Sequence, residues 1–188
     1  MFDMPCEPLP NYLSVTLTPS NPILHTSRLY SMFKNYEEGV IYDKNFLFYE
    51  EWSNEASEIL IQCDTELQNL CNVIPISLDK VISLCEYYDS PSPEAMTRKL
   101  RSIKAFKSIR SPMKKVKTGW IPDLSSRYFS TDFPFGLKII KDLSDIFEVN
   151  TPYIDILWNW YSKLDKENAM NSIKITQKST DLVRLYQL

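Results

Sequence analysis

The sequence predicts an all-α fold: a domain of about six or seven helices with one short leftover strand near the N-terminus. Three observations predict it. Apolar residues recur at three- and four-residue steps through most of the chain, the spacing that gives a helix one buried face. Helix starts are written as a capping residue followed by proline, at Asn21-Pro22, Ser92-Pro93 and Thr151-Pro152, since a first helical turn has no use for the amide hydrogen that proline lacks. A hydrophobic content of 44% over 188 residues is enough to bury a core in a single domain.

Taken in order, residues 11–18 alternate apolar and polar, which reads as a strand, and Pro19-Ser20-Asn21-Pro22 ends it. No partner strand is evident, so it looks like the last strand of a sheet whose remainder lies elsewhere. Asn21 then caps a short helix with His25 in its first turn. From 46 to 72, Phe48, Trp52, Ile59, Cys63, Leu67 and Leu70 form the stripe of a long amphipathic helix, the expected spine of the domain. Ser77 caps a helix to about Tyr87, and Ser92-Pro93 opens another that runs to near Ser111. A mobile lysine-rich loop leads to Gly119. Helical spacing returns over 137–149. After Thr151-Pro152, apolar residues lie almost all round the next helix, so it should be largely buried. The tail from Lys163 is polar, with a short helix near 182–186.

Composition excludes several classes of function. Only three glycines occur, Gly39, Gly119 and Gly136, so neither a G-x-G-x-x-G nor a G-x-x-x-x-G-K phosphate loop is possible. Four cysteines (Cys6, Cys63, Cys71, Cys85) form no C-x-x-C pair and accompany a single histidine, which argues for buried free thiols rather than zinc. No apolar run is long enough to span a membrane, and the first residues lack the features of a signal peptide. A cytoplasmic location is expected. Net charge is −3, yet nine basic residues and no acid fall between Ala95 and Pro122: Arg98, Lys99, Arg101, Lys104, Lys107, Arg110, Lys114, Lys115 and Lys117. Such a segment, 98–117, can form a solvated face, steer anionic substrates or engage an anionic partner. With few stacking rings and an acidic chain overall, nucleic acid is not the expected partner.

The stretch Ser126-Arg127-Tyr128-Phe129-Ser130-Thr131-Asp132-Phe133-Pro134-Phe135-Gly136-Leu137 sets an arginine and a carboxylate around two aromatic rings. The rings suggest a turn packed on the core with its charges aimed inward. A histidine acting as general acid–base needs a carboxylate to fix its tautomer, and an arginine fork pairs bidentately with a substrate carboxylate. His25, Asp132 and Arg127 would supply that set if the fold brings them together.

From about Leu13 to Tyr161 the chain resembles the C-terminal domain of the octopine/nopaline (opine) dehydrogenase family. Four stretches carry the resemblance: Leu17-Thr18-Pro19-Ser20-Asn21-Pro22-Ile23-Leu24-His25, Leu47-Phe48-Tyr49-Glu50-Glu51-Trp52, Arg127 through Leu137, and Val149-Asn150-Thr151-Pro152-Tyr153-Ile154-Asp155. The resemblance implies a helical domain of the 6-phosphogluconate dehydrogenase C-terminal-like type over 21–166. Residues 1–20 would then be the remnant of a nucleotide-binding domain or linker, and 167–188 a C-terminal tail. It implies a reaction in which an amino acid condenses with an α-keto acid and NAD or NADP, held by a separate nucleotide-binding domain, reduces the imine. His25 matches the family's catalytic histidine, Asp132 its partner carboxylate, and Arg127 the arginine that holds a substrate carboxylate. Asp155 matches a further family aspartate and is expected to cap or pack. Thr26 stands where the family has proline after the histidine, and Thr131 replaces a glutamate. With no cofactor site of its own, the isolated chain is expected not to turn over. The competing expectation is a non-catalytic module that binds an anionic partner through 98–117.

Overall fold

Helices dominate the computed structural model, which describes residues 8–187; Cys6 and the N-terminal segment read above for a signal peptide lie outside the described residues. Chain order gives α1 (Tyr12–Thr16), a π-helical turn (Ser20–His25), α2 (Thr26–Phe33), α3 (Asn54–Val73), α4 (Leu84–Tyr87) and α5 (Pro93–Ser102). A short 3-10 turn (Lys104–Phe106) and a hairpin of β1 (Met113–Val116) and β2 (Gly119–Pro122) follow. Then come α6 (Arg127–Ser130), a second π-helical turn (Phe133–Leu137), α7 (Lys138–Ile146), α8 (Pro152–Leu164), α9 (Lys166–Met170) and α10 (Ser179–Tyr186). Among the described residues no helix is long and apolar enough to cross a membrane.

The long helix is the spine, as the stripe predicts: α3 packs against α2, α4, α5, α7 and α8, and Leu60, Cys63, Leu67 and Leu70 are fully buried along it. It starts later than the periodicity suggests. Ser53 caps it by accepting from the Ala56 amide, while 46–52 forms a turn held from outside. There the Phe48 amide donates to the Ile109 carbonyl and the Ser111 amide to the Phe46 carbonyl, and the buried Arg28 side chain on α2 donates to the Phe48 and Glu51 carbonyls. Phe48 and Trp52 are core residues, but of a turn.

The N-terminal strand is not present. Residues 12–16 are helical, with Asn11 accepting from the Ser14 amide. Leu13 and Leu17 are buried and Val15 is exposed. Alternation and a four-residue step coincide at positions 13 and 17, and only Val15 distinguishes them. The helix expected from Ser77 shrinks to α4, capped by Ser83, and the one from Ser92 is capped as expected but stops at Ser102. The supposed mobile loop is an antiparallel hairpin pairing Lys114 with Ile121 and Lys115 with Trp120, extended by a bridge from Tyr42 to Trp120. Gly119 permits that bridge, because a Cβ there would sit 2.2 Å from the Tyr42 carbonyl oxygen.

Helix α8 begins at Pro152 as expected, but Thr151 makes no side-chain cap. The buried Glu66 of α3 supplies it instead, accepting from the Tyr153 and Ile154 amides at 2.8 and 2.9 Å. Nor is α8 buried all round: Ile154, Leu157 and Tyr161 face the core while Ile156 is exposed. The C-terminal segment is folded onto the domain, with the Ile173 amide donating to the Pro134 carbonyl and Leu182 buried.

Candidate active site

Both halves of the site sit on the π-helical turns. The first widens after Pro19, where the Leu24 amide reaches back five residues to the Pro19 carbonyl, and delivers His25 at the junction with α2. Thr26, fully buried, returns its hydroxyl to the Pro22 carbonyl, so a threonine here serves to brace the turn. In the second, the Leu137 amide reaches the Asp132 carbonyl at 2.8 Å, leaving Asp132 at the start of the turn. The two turns contact each other directly. Wide turns of this kind are frequent at functional sites.

That contact brings together residues 107 positions apart: His25 Nδ1 lies 2.8 Å from Asp132 Oδ2. Asp132 is 8% exposed. An ionised carboxylate only accepts, so Nδ1 carries a hydrogen and donates it, which leaves the lone pair of the neutral ring on Nε2. Nε2 is 3.1 Å from the Tyr49 hydroxyl. The rings of Tyr128 and Phe48 pack on the imidazole with centroids 4.7 and 5.7 Å away. Burial pushes the phenols of Tyr49 and Tyr128 above their ordinary pKa, with Asp132 adding to each, so both keep their protons at neutral pH. This is a partly buried histidine–carboxylate pair inside an aromatic box, suited to moving a proton at Nε2.

Arg127 is placed differently. It opens α6, its carbonyl accepts the Asp132 amide at 3.3 Å, and it is exposed. Among the described residues its guanidinium has no hydrogen-bond or ion-pair partner. The stretch therefore packs on the core through Phe129, Phe133 and Asp132, but only one of its two charges points inward. The arginine faces solvent because a buried guanidinium without a partner would be costly. Asp155, expected to cap or pack, pairs with Lys141 at 3.0 Å.

Tyr49 carries no assigned role in the sequence, although it lies in one of the four matching stretches. The local signal there is a tyrosine among core aromatics, whose hydroxyl needs a polar partner once buried. The basic segment also reaches the site: Phe106 stacks on Tyr49 with centroids 4.1 Å apart, and the Ser108 amide donates to Glu50. Lys104 and Lys107 flank that contact and are exposed. Cys63, Cys71 and Cys85 are free thiols, burial pushing that of Cys71 up to about 12, which makes it inert. Among the described residues no cluster of histidine, cysteine and carboxylates is arranged to hold a metal.

Residues 8–164 match the family described as NAD/NADP octopine/nopaline dehydrogenase, alpha-helical domain. Tauropine dehydrogenase of Arabella iricolor is 26% identical, over 93% of this chain and 47% of that protein. Opine dehydrogenase of Haliotis discus hannai is 29% identical, over 84% of this chain and 42% of that protein. The chain thus spans about half the length of the curated relatives it matches. A structure of octopine dehydrogenase with NADH and pyruvate superposes with a TM-score of 0.71 at 22% identity, covering 81% of this chain and 38% of that one. One with NADH and L-arginine gives a TM-score of 0.70 at 23% identity. At such identities the superpositions establish the fold.

Proposed function

The chain belongs to the octopine/nopaline dehydrogenase family, and from that premise we propose that it is the substrate-binding and acid–base half of an opine dehydrogenase, a cytoplasmic enzyme joining an amino acid to an α-keto acid. The observation that carries this reading is the 2.8 Å contact between His25 Nδ1 and Asp132 Oδ2. In this proposal residues 21–166 are the working domain, of the 6-phosphogluconate dehydrogenase C-terminal-like type. Residues 1–20 lead from a nucleotide-binding half, and 167–188 form the closing tail.

An amino acid reaches the site as an ammonium and must lose a proton before its nitrogen can attack a ketone. His25 Nε2 takes that proton, and the imidazolium that forms is stabilised by Asp132 across the Nδ1–H bond. The same nitrogen returns a proton to the carbinolamine oxygen as water leaves, giving the imine. Arg127, exposed and unpaired, holds a substrate carboxylate through its planar fork. The aromatic rings around His25 exclude water from the reacting atoms.

NAD or NADP would supply the hydride that reduces the imine, but the three glycines present do not fit a glycine-rich phosphate loop for a dinucleotide. All three glycines are committed elsewhere: Gly39 to a left-handed turn with φ of 96°, Gly119 to the Tyr42 bridge and Gly136 to the contact with Pro22. No phosphate loop can be built from them. The nucleotide is therefore assigned to residues outside these 188, on the same polypeptide or a separate one.

Two measurements test the proposal. Titrating the 188-residue chain with an N-(carboxyalkyl) amino acid should shift the imidazole resonances of its one histidine and should do so weakly in R127A; an unchanged spectrum overturns it. Mixed with NADH, pyruvate and arginine, the chain alone should show no steady NADH oxidation, and turnover would overturn the assignment of the nucleotide site. A second reading, a non-catalytic module for an anionic partner, is favoured by one observation: Lys114, Lys115 and Lys117 are exposed on the hairpin and form no ion pair among the described residues. Reversing these three charges should abolish partner binding if that reading holds and leave the imidazole titration unchanged if the enzyme reading holds.

A further inference from the structure

Tyr49 occupies the nitrogen on which the proposed chemistry depends. Its hydroxyl is 3.1 Å from His25 Nε2 while Asp132 holds Nδ1, so the imidazole is held at both nitrogens. The ring of Tyr49 cannot easily withdraw. Phe106 stacks on one part of it with an interplanar angle of 20°, and Trp52 lies nearly parallel at 6.1 Å. The backbone on either side is pinned, because Arg28, three residues after His25 on α2, donates to the Phe48 and Glu51 carbonyls. The residue that carries the proton and the segment that carries the phenol are thereby tied to the same helix.

Packing alone does not account for a tyrosine at this position. A phenylalanine would make the same stacks and would leave no hydroxyl to satisfy in a residue that is 6% exposed. What the hydroxyl adds is a group that both donates and accepts. Facing the neutral ring, Tyr49 O–H donates to the Nε2 lone pair. Facing the imidazolium, the phenol turns its hydrogen away and accepts from Nε2–H. Rotation of the hydroxyl hydrogen about the C–O bond serves both states, so the ring gains or loses a proton without moving from Asp132.

We infer that Tyr49 is a positioning residue of the acid–base centre, holding His25 Nε2 through its hydroxyl in both protonation states of the substrate-free chain and giving up that nitrogen when a substrate ammonium displaces it. This rests on the acid–base role proposed for His25, yet it is tested without substrate, coenzyme or turnover, so the two can fail separately. The one histidine of the chain makes the test free of overlap. In nitrogen-15 spectra of the wild-type chain, the neutral ring should show Nδ1 protonated and Nε2 at the position of a hydrogen-bonded lone pair. In acid, the Nε2–H proton should exchange slowly with water. In Y49F, with the thermal midpoint measured alongside, Nδ1 should be unchanged while Nε2 moves to the position of an unbonded lone pair. Its proton should then exchange severalfold faster. Carbethoxylation of His25 by diethyl pyrocarbonate should likewise speed up severalfold. An Nε2 resonance in the wild type that already sits at the unbonded position overturns the inference, and this needs no variant to fold. So does a Y49F chain that folds with Nε2 shift, exchange and modification rate all unchanged. If substrate analogues fail to bind while these spectra behave as described, the proposed function fails and the clamp on the imidazole stands.

Discussion

Asp64 gives the sharpest stability prediction. It sits on α3 at 2% exposure and accepts the Leu84 amide at the start of α4 through Oδ2 at 2.7 Å. Burial pushes its pKa from 3.8 up to about 6, the Leu84 and Cys85 amides and the Gln68 side chain pulling only partly the other way. A carboxyl whose folded pKa is raised stabilises the fold while it stays protonated, and that stability is lost as pH rises through about 6. The full difference is about 3 kcal/mol at 1.36 kcal/mol per unit, of which about 2 kcal/mol falls between about pH 4.5 and pH 7.5. Replacing Asp64 with asparagine keeps an oxygen for the Leu84 amide and removes the titration. The quantity to measure is the difference in unfolding free energy between D64N and wild type, by urea titration of tryptophan fluorescence across that range. Groups that titrate in both proteins, such as Glu66, cancel in the difference if they are uncoupled to Asp64. D64N should gain about 2 kcal/mol on the wild type from the acid to the neutral end, or about 4–8 °C in thermal midpoint for a chain of this size. Parallel profiles would refute the reasoning, since they would mean that Asp64 does not ionise in the fold or is not desolvated there.

Three further predictions follow from contacts that the sequence does not announce. E66A should destabilise by about 1–3 kcal/mol, because it strands the Tyr153 and Ile154 amides at the start of α8, and E66Q by less, as equilibrium unfolding would report. D132N presents an amide to Nδ1 and should move the hydrogen of the neutral ring to Nε2, visible in nitrogen-15 spectra; in an enzyme assembled with its nucleotide-binding half, turnover should fall by a factor on the order of 10⁴, the loss known when a serine-protease triad aspartate is changed in the same way. G119A forces a Cβ to 2.2 Å from the Tyr42 carbonyl, so the bridge should break, at a cost of about 1–3 kcal/mol and with fast hydrogen exchange at the Tyr42 and Trp120 amides.

How much of this was legible depended on how local each cause was. The spine was legible because Leu60, Cys63, Leu67 and Leu70 bury one face of a helix whatever surrounds it. The start of α3 was not, because 46–52 is bent by Arg28 and by pairing with 109–111, contacts made across the fold. Residues 11–18 misled because positions 13 and 17 satisfy both periods; Asn11, two residues before Leu13, held the cap signal that would have decided for helix. Lys114, Lys115 and Lys117 read as a loop because their charge hid the Met113, Val116 and Ile121 positions of a hairpin. At the site, His25, Asp132 and Arg127 came from matching motifs, since no spacing rule joins residues 107 positions apart. The His25–Asp132 contact is visible in the structure, the outward course of Arg127 was not anticipated, and Tyr49 needed the fold to bring its hydroxyl to Nε2.

That contact depends on how closely the two π-helical turns approach, and Gly136 tests it. Gly136 is not in the left-handed region, so its backbone does not require glycine. What requires it is Pro22 of the first turn: an added Cβ would lie 3.1 Å from Pro22 Cβ and 3.6 Å from its Cα, so one turn would have to give by a few tenths of an ångström. Alanine in place of a helical glycine gains up to about 1 kcal/mol in backbone entropy, and the crowding costs about as much or somewhat more. The net change in unfolding free energy for G136A should therefore be small, within about 1 kcal/mol. The geometry should change more than the stability. His25 is three residues beyond Pro22 and Asp132 four before Gly136, so separating the turns lengthens a 2.8 Å bond toward the limit at which a charge-assisted hydrogen bond weakens. The expected signature is a near-native thermal midpoint with an upfield Nδ1 proton that exchanges faster with water. A G136A chain that keeps the wild-type Nδ1 proton would mean that the pair is held by the aromatic box around His25, and that the glycine merely fills a crowded turn.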